Sequence, residues 1–227
     1  MSEVVAVVAS PRRNSNSAAL TAAVLQPLLD AGVDCRTFDL SETPVAPCRG
    51  CLRCNESGRC VQDDFAGREL LPEMTSAAAL VLAGPVYFMN ISAQMKAVID
   101  RHRAALHVTM KPDRIVCVPR VSTASRTAVL VFSQGEPQSP HWLDAARTLT
   151  RFVEEFYHGR VVATVVGAGL AMPGQVRWDA RRLRRLAAAV GLPTDEAAVE
   201  RMLLRNRRAL EEADAAGRRL LSYLRPA

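Results

Sequence analysis

The stretch Val4-Val5-Ala6-Val7-Val8-Ala9 is an apolar run rich in β-branched residues, and the polar loop Ser10 to Ser17 follows it directly. The next residues, Ala18 to Ala31, place apolar side chains at helical spacing before Gly32. A short apolar run, a polar loop and a helix are the unit from which parallel α/β sheets are built. This stretch therefore predicts an α/β fold.

The same alternation of strand and helix continues along the chain. Later strands are predicted at Val33 to Leu40, Ala77 to Ala83, Thr127 to Phe132 and Arg160 to Val166. Later helices are predicted at Asp64 to Thr75, Ser92 to Leu106, His141 to Tyr157 and Trp178 to Val190. Because parallel neighbours need a crossover connection, the pattern predicts a doubly wound, five-stranded parallel sheet with helices on both faces.

Two stretches fall outside this alternation. Pro193 to Leu224 predicts one long amphipathic helix that docks on its own domain or on a second subunit. Candidates for its buried side are Val199, Leu203, Leu210 and Leu221. The segment Lys111 to Ser125 is predicted as an extended strand plus a loop, with no assigned role.

Length and composition favour one domain with one core. The chain has 227 residues, of which 49% are hydrophobic, and this is enough to bury a full core. We expect residues 1–191 to form the domain, with a cysteine-rich segment at 47–62 inside it, and residues 192–227 to form a helical extension.

The charge pattern argues against nucleic acid as a partner. The net charge is +6, but the excess arginine lies mainly in residues 181–185 and 201–219, where it alternates with Ala and Leu at helical spacing. Such a pattern is typical of a solvated outer helix face. No apolar run is long enough to cross a bilayer, and Met1 to Pro11 does not resemble a leader, so we expect a cytoplasmic protein without a membrane partner.

Four of the six cysteines lie within the segment Cys48-Arg-Gly-Cys51-Leu-Arg-Cys54-Asn-Glu-Ser-Gly-Arg-Cys60. Thiolates are the preferred ligands of iron-sulfur clusters and also bind zinc. A cluster is the leading interpretation, since zinc sites usually combine two short cysteine pairs separated by a longer stretch. Redox-active or metal-free thiols are the remaining alternative, because nearby arginines favour the thiolate. Structural disulfides are not expected in a reducing compartment.

The loops after the first, third and fourth predicted strands are the candidate binding loops, because ligands of open parallel sheets bind beyond the carboxyl ends of the strands. The first loop offers hydroxyl, amide and guanidinium groups to a phosphate before a helix N-terminus: Ser10, Arg12, Ser15, Asn16 and Ser17. The second loop offers two aromatic residues and an amide to a planar ring: Pro85, Val86, Tyr87, Phe88, Met89 and Asn90. The third loop flanks the same ring with Ser133, Gln134 and Gly135.

A phosphate at one end and a flat ring at the other describe FMN. Alternatives remain for individual residues, since one of Ser15, Asn16 and Ser17 is expected to cap the helix, and Tyr87 and Phe88 also suit a core. The first loop matches neither the Walker loop nor the dinucleotide fingerprint, because both need glycines that are absent here.

Three parts of the sequence together resemble the flavodoxin-like NAD(P)H-dependent FMN reductases. They are Ser10-Pro11-Arg12 with Asn16-Ser17, the cysteine segment with Asp63-Asp64, and Gly84-Pro85-Val86-Tyr87-Phe88 with Met95-Lys96. The cysteine spacing resembles that of the iron-sulfur flavoproteins within this superfamily. This resemblance implies a flavodoxin-like fold, FMN, and a 4Fe-4S cluster on Cys48, Cys51, Cys54 and Cys60. Ala9 departs from the family, which often has Gly there, and the Arg-rich tail is not part of the shared pattern.

The resemblance implies an FMN oxidoreductase that uses NAD(P)H or a reduced protein donor and forms a homodimer or homotetramer. Two alternatives stay open: a quinone, nitro or azo reductase without a cluster, and a non-enzymatic electron carrier or thiol sensor. A basic binding module without flavin leaves the three loops unexplained. No catalytic acid or base is assigned, because Tyr87 and the four histidines qualify only by residue type.

Overall fold

The computed structural model describes residues 3–120 and 126–225. Its centre is a sheet in which five strands run parallel in the order β2-β1-β3-β7-β8. The strands are β1 (Val4–Val8), β2 (Cys35–Asp39), β3 (Ala79–Tyr87), β4 (Asn90–Ile91), β5 (Leu106–Met110), β6 (Ile115–Pro119), β7 (Thr127–Ser133) and β8 (Arg160–Gly167). The order reverses beside β1, as in doubly wound folds, so the predicted sheet is confirmed.

Helices cover both faces of this sheet. They are α1 (Asn16–Asp30), α2 (Cys54–Ser57), α3 (Leu71–Ser76), α4 (Ala93–Arg101), α5 (Trp142–Tyr157), α6 (Ala180–Ala189) and α7 (Glu196–Leu224). Strand β1 shows why both faces need cover, because its alternate side chains enter two different cores. Val5 and Val7 pack toward α3, α4 and α5, whereas Val4 and Val8 pack toward α1 and α7.

The sheet has one strand more than the predicted five. After β3 the chain reverses in a two-residue turn and adds β4 as a short antiparallel strand, with Tyr87 opposite Asn90. Phe88 and Met89 form the turn with φ of +46° and +63°, a left-handed conformation that is costly for side chains of this size. A sequence rule that expects Asn-Gly at such a turn gives no signal here.

Two predicted helices are shorter or less regular than expected. The helix predicted from Ser92 ends at Arg101, a 3₁₀ turn follows at His102–Ala105, and Leu106 already begins β5. The helix predicted from Asp64 contains a π turn at Ala66–Leu70 before α3. Strands β5 and β6 form a separate antiparallel pair, so Ile115–Pro119 within the segment 111–125 is a strand. Residues 121–125 of that segment lie outside the described residues.

Helix α7 packs on its own domain, against α1 and β8. Of the four residues predicted to be buried, Val199 is buried, whereas Leu203, Leu210 and Leu221 are only half-buried. The buried side is formed instead mainly by small residues: Ala209, Ala213, Ala216 and Gly217, with Leu220. Small side chains allow α1 and α7 to approach closely. Among the described residues, no helix is long and apolar enough to cross a membrane.

Candidate functional site

A crevice of about 260 Å³ opens at the carboxyl ends of β1, β3 and β7. Three predicted loops meet there, and nine of the predicted residues line it: Ser10, Arg12, Ser15, Asn16, Pro85, Val86, Tyr87, Ser133 and Gly135. The position agrees with the rule that open parallel sheets bind ligands beyond their carboxyl ends. The structure therefore brings the candidate phosphate loop and the candidate ring loops into one site.

The predicted phosphate end of the crevice is the start of α1. Ser15 caps the helix, since its Oγ accepts a hydrogen bond of 3.1 Å from the Ala18 amide. The first intrahelical bond runs from Ala19 N to Ser15 O, so the amide hydrogens of Asn16 and Ser17 have no intrahelical acceptor. These amides and the helix dipole favour an anion. Arg12 adds a guanidinium whose Nη1 donates to Ala171 O at 3.0 Å.

Two predicted phosphate contacts hold the site together instead of offering free side chains. The Asn16 Nδ2 donates to Met172 O at 2.8 Å, and its Oδ1 accepts from the Val176 amide at 3.0 Å. Ser17 is fully buried, and its Oγ lies 2.9 Å from the Oγ of Ser133. Asn16 therefore fixes the loop after β8, and Ser17 ties the first predicted loop to the third.

The turn between β3 and β4 presents only part of its predicted surface to the crevice. Pro85, Val86 and Tyr87 line the crevice. Phe88 is 99% exposed and Met89 is 53% exposed, and neither lines it. Asn90 lies in β4, where its Oδ1 accepts from Thr148 Oγ1 at 3.3 Å.

The third predicted loop is split in the same way. Ser133 and Gly135 line the crevice, whereas Gln134 is buried between them. The Gln134 Nε2 donates to Glu136 O at 2.6 Å and Ser139 O at 2.7 Å. Gln134 thus stabilises the conformation of the loop without lining the crevice.

A fourth loop belongs to the crevice and was missed from the sequence. It follows β8 and contributes Leu170, Ala171 and Pro173. Its residues are mostly apolar and give no chemical signal. The signal that could have found it is topological, because the carboxyl end of β8 lies at the same edge of the sheet as the other three loops.

A second cavity, of about 120 Å³, lies in the cysteine-rich segment. The four cysteines of the predicted ligand set all line it: Cys48, Cys51, Cys54 and Cys60. Leu52 and Val61 add aliphatic walls, and the guanidinium groups of Arg49, Arg101 and Arg103 add positive charge. We call this the cysteine cavity. Within residues 3–120 and 126–225, no three His, Cys, Asp or Glu side chains are arranged to hold a single metal ion.

The surroundings of the cavity shift the pKa values of two of its thiols in opposite directions. The backbone amide of Arg53 lowers the pKa of Cys51, with a smaller contribution from its side chain. Burial raises the pKa of Cys54, although Arg103 opposes this effect. The remaining cysteines, Cys35 and Cys117, lie outside the cavity, and all six are free thiols.

Arg101 fastens the cysteine-rich segment to the last turn of α4. Its side chain is fully buried, and its Nη1 and Nη2 donate to the Asp64 carboxylate at 2.5 and 2.7 Å. The same Nη2 reaches Gln62 O at 3.3 Å and Cys60 Sγ at 3.5 Å. The hydrogen bonds from Arg101 lower the pKa of Asp64, so this carboxylate is ionised at neutral pH. No sequence motif identified Arg101.

The curated relatives that match this chain carry the name iron-sulfur flavoprotein. The one from Methanocaldococcus jannaschii is 34% identical over 102 residues, which are 44% of this chain and 52% of the relative. The one from Methanosarcina thermophila is 33% identical over 99 residues, which are 44% of this chain and 51% of the relative. The matched part is thus about half the length of each.

Solved structures show the same fold. The NAD(P)H:quinone oxidoreductase from Methanothermobacter marburgensis has a TM-score of 0.59 and 18% identity, with 96% of this chain and 98% of that chain covered. An FMN-dependent NADH-azoreductase from Bacillus anthracis, solved with FMN, has a TM-score of 0.58 and 14% identity, with the same coverage of both chains. At such identity these likenesses establish the fold alone.

A profile of the NADPH-dependent FMN reductases matches residues 2–134, which include the first predicted loop, the cysteine-rich segment, the β3–β4 turn and all of β7. More than half of the chain is covered, and the matched part supplies three of the four loops around the crevice. The chain therefore belongs to the NADPH-dependent FMN reductase family.

Proposed function

We propose that this chain is an FMN-dependent oxidoreductase that passes electrons between NAD(P)H and an acceptor by way of a 4Fe-4S cluster on Cys48, Cys51, Cys54 and Cys60. Family membership supports the reductase part. The convergence of the four cysteines on one cavity is the observation that carries the cluster part. When bound, FMN supplies hydride and single-electron transfer, and the cluster supplies single-electron exchange.

The donor set of the crevice fits FMN. Arg12 and the start of α1 offer a positive potential to the phosphate, and the hydroxyl of Ser10 lies beside them. Pro85, Val86 and Tyr87 offer the backbone and apolar surface that a planar ring needs. The residues thus orient a ligand with its anionic end at α1 and its ring between the β3–β4 turn and the β7 loop.

The donor set of the cysteine cavity fits an iron-sulfur cluster better than a single ion. A cluster holds its thiolates around a cube of atoms, so its ligands need only line one cavity and need not meet at a point. Four cysteines and three arginines provide soft ligands and compensation of negative charge.

Both cofactors are tested on one anaerobic preparation. FMN, iron, sulfide and zinc are counted on the sample whose absorption spectrum is recorded. We expect FMN together with about four iron and four sulfide per chain. FMN without iron contradicts the cluster and leaves a flavin-dependent reductase without one. A colourless protein that takes up no FMN contradicts the whole proposal.

A matched pair of variants makes the cluster test specific. Cys60→Ser removes a thiol that lines the cavity, whereas Cys117→Ser removes an exposed thiol on β6 outside it. We expect iron content to fall in Cys60→Ser and to stay at the wild-type level in Cys117→Ser. Equal iron in both variants is incompatible with the proposed ligand set.

We also propose a homodimer or homotetramer. The β5–β6 pair exposes two apolar side chains that lie opposite each other across the strands, with Met110 80% and Ile115 63% exposed. Exposed apolar clusters on a soluble domain mark contact surfaces. Light scattering coupled to size-exclusion chromatography measures the mass in solution, and a monomer at micromolar concentration rejects the proposal.

A further inference from the structure

A groove of about 500 Å³ lies between α7 and the loops that follow β7 and β8. Its floor is apolar and includes Pro137, Val166 and Ala168. Arg201, Arg205 and Arg208 border it from α7, where a spacing of four and three residues places them on one face of the helix. We call this the arginine groove. Its volume lies in the range of small-molecule sites.

These three arginines differ from Arg207 and Arg218 of the same helix. Arg207 pairs with Glu200, and Arg218 pairs with Asp214 at 2.7 Å, as expected for a solvated helix face. The side chains of Arg201, Arg205 and Arg208 form neither a hydrogen bond nor an ion pair with any described residue. Glu212 also borders the groove and is its one carboxylate, so the groove keeps an excess of positive charge. Unpaired guanidinium groups over an apolar floor favour a ligand that is both anionic and planar.

The loops after β7 and β8 form a wall between the arginine groove and the crevice, and each loop lines both sites. In the β7 loop, Gly135 lines the crevice and Pro137 lines the groove. In the β8 loop, Leu170 lines the crevice and Ala168 lines the groove. Two residues of chain span at most about 7 Å, so the two sites lie next to each other.

Hydrogen bonds hold this wall and α7 in a fixed relation. The two loops are joined by Gln134 N to Gly167 O at 2.8 Å and by Leu170 N to Gln134 O at 2.9 Å. The buried Asn206 of α7 donates to Gln175 O at 2.9 Å, and Gln175 in turn donates to Gly169 O at 2.7 Å. The arginines are therefore presented at a set position relative to the crevice.

We propose that the arginine groove binds the adenosine half of NADPH, with the adenine on the apolar floor and the 2′-phosphate among Arg201, Arg205 and Arg208. This assignment deepens the proposed reductase function and rests on it. A nicotinamide over the crevice is joined to its adenosine through a pyrophosphate, and this linkage is long enough to cross the shared wall. The sequence contains no glycine-rich dinucleotide loop, so the groove is a nucleotide site without that motif. It also lies on α7, outside the residues that the family profile matches.

Calorimetric titration of the FMN-loaded protein with adenosine 2′,5′-bisphosphate tests this site without turnover. The probe carries the adenine and the 2′-phosphate but no nicotinamide. A charge-assisted hydrogen bond contributes enough free energy that losing one arginine weakens binding by about tenfold or more. We expect this loss in Arg205→Gln and in Arg201→Gln. Arg219→Gln is the matched control, because Arg219 is an exposed arginine of α7 that does not line the groove.

Steady-state kinetics give the second readout. We expect the two groove variants to raise KM for NADPH about tenfold, with little change in kcat and a much smaller change in KM for NADH. Binding of the bisphosphate by a protein that oxidises no NADPH supports the site and rejects the reductase proposal. Turnover with an unchanged KM in the groove variants rejects the site and keeps the reductase. Inorganic phosphate that binds as tightly as the bisphosphate overturns the nucleotide assignment.

Discussion

Arg101 is the residue whose role is most fully specified by its surroundings. Its guanidinium is buried and reaches both the Asp64 carboxylate and the Cys60 sulfur. An arginine presents its donors in a rigid fork, whereas a lysine presents a single charged point. Arg101 therefore positions Cys60 as well as placing positive charge beside it.

We predict that Arg101→Lys keeps the charge but loosens the cysteine cavity. One ammonium cannot replace the two bonds to Asp64 and also reach Cys60 Sγ and Gln62 O. If the cluster is present, iron loss to a chelator should become several-fold faster, and the reduction potential should shift because a hydrogen bond to a ligand sulfur is lost. Stopped-flow absorbance and a spectroelectrochemical titration measure these two effects.

The matched control for Arg101 is Arg49→Gln. Arg49 lines the same cavity but is exposed and is not bonded to Cys60, so its variant tests loss of charge alone. Asp64→Asn is a second test of the role of Arg101, because it leaves the buried guanidinium without its ion-pair partner. This variant should cost about 3 kcal/mol of unfolding free energy. Behaviour of Arg101→Lys identical to Arg49→Gln, with no cost for Asp64→Asn, excludes a positioning role.

The buried side chain of His102 makes the stability of the fold depend on pH. It is buried against Phe152 and Tyr157, with ring centroids 5.3 and 5.1 Å away. Burial, with a smaller contribution from Arg126, lowers the pKa of His102 from 6.5 to about 4. The unfolded chain thus binds a proton near pH 6.5 that the folded chain binds only near pH 4.

We predict that stability falls as the pH drops from about 6.5 to about 4, and that His102→Gln reduces this fall. Because the pKa is lowered in the folded state, the neutral histidine adds stability above its ordinary pKa and loses it below, by about 3 kcal/mol in total. Urea unfolding at pH 7.5, 6 and 5 measures the slope. His107→Gln is the control at an exposed histidine. A variant with the wild-type slope refutes the assignment to His102.

At the scale of elements, the sequence predicted the strands and helices that have a clear apolar run or a clear helical periodicity. Strands β1, β3 and β7 are buried along nearly their whole length, so their apolar runs marked them clearly. The β3–β4 turn was missed because Phe88 and Met89 adopt positive φ against their intrinsic preference. The loop after β8 was missed because its crevice residues are apolar, and Arg101 because its partners are distant in sequence.

The buried side of α7 shows a different limit of the sequence. The leucines indicated one stripe, but close packing selects the adjacent stripe of alanines with Gly217. A Cβ at Gly217 would overlap the carbonyl oxygen of Val24 and approach Pro27 Cγ to 2.7 Å. Which stripe is buried thus depends on the backbone of α1, which hydrophobic periodicity along α7 does not report.

We predict that Gly217→Ala destabilises the protein although alanine is the better helix former. Helix propensity alone would add about 1 kcal/mol, whereas forcing α1 and α7 apart costs roughly 1–3 kcal/mol or more. The net effect should be a loss of unfolding free energy, measured by urea titration. Ala215→Gly, at an exposed position of the same helix, should lose about 1 kcal/mol from propensity alone. A more stable Gly217→Ala protein disproves the close approach.

At the scale of the whole molecule, α4 connects the two sites. The β3–β4 turn precedes its first residue, and the N-cap Ser92 donates through Oγ to Ala9 O at 2.7 Å beside the phosphate loop. Its last residue, Arg101, holds the cysteine-rich segment. Nine helical residues span about 13 Å, so one rigid element sets the separation of the crevice and the cysteine cavity. The predicted division into residues 1–191 and 192–227 remains a proposal, since α7 borders the arginine groove jointly with loops of the first part.

We predict that FMN stabilises the folded chain as a whole, because the four loops of the crevice come from four different strands and are together only in the folded state. At one hundred times its dissociation constant, a ligand that binds only the folded state adds about 2.7 kcal/mol. For a chain of this size this raises Tm by roughly 5–10 °C, which differential scanning fluorimetry measures. Arg12→Gln should weaken FMN binding about tenfold and so remove about 1.4 kcal/mol of the gain at the same FMN concentration. Arg13→Gln is the control, since Arg13 is exposed and does not line the crevice. A Tm that FMN leaves unchanged, or an equal loss in both variants, means that the crevice beside α1 is not where the phosphate binds.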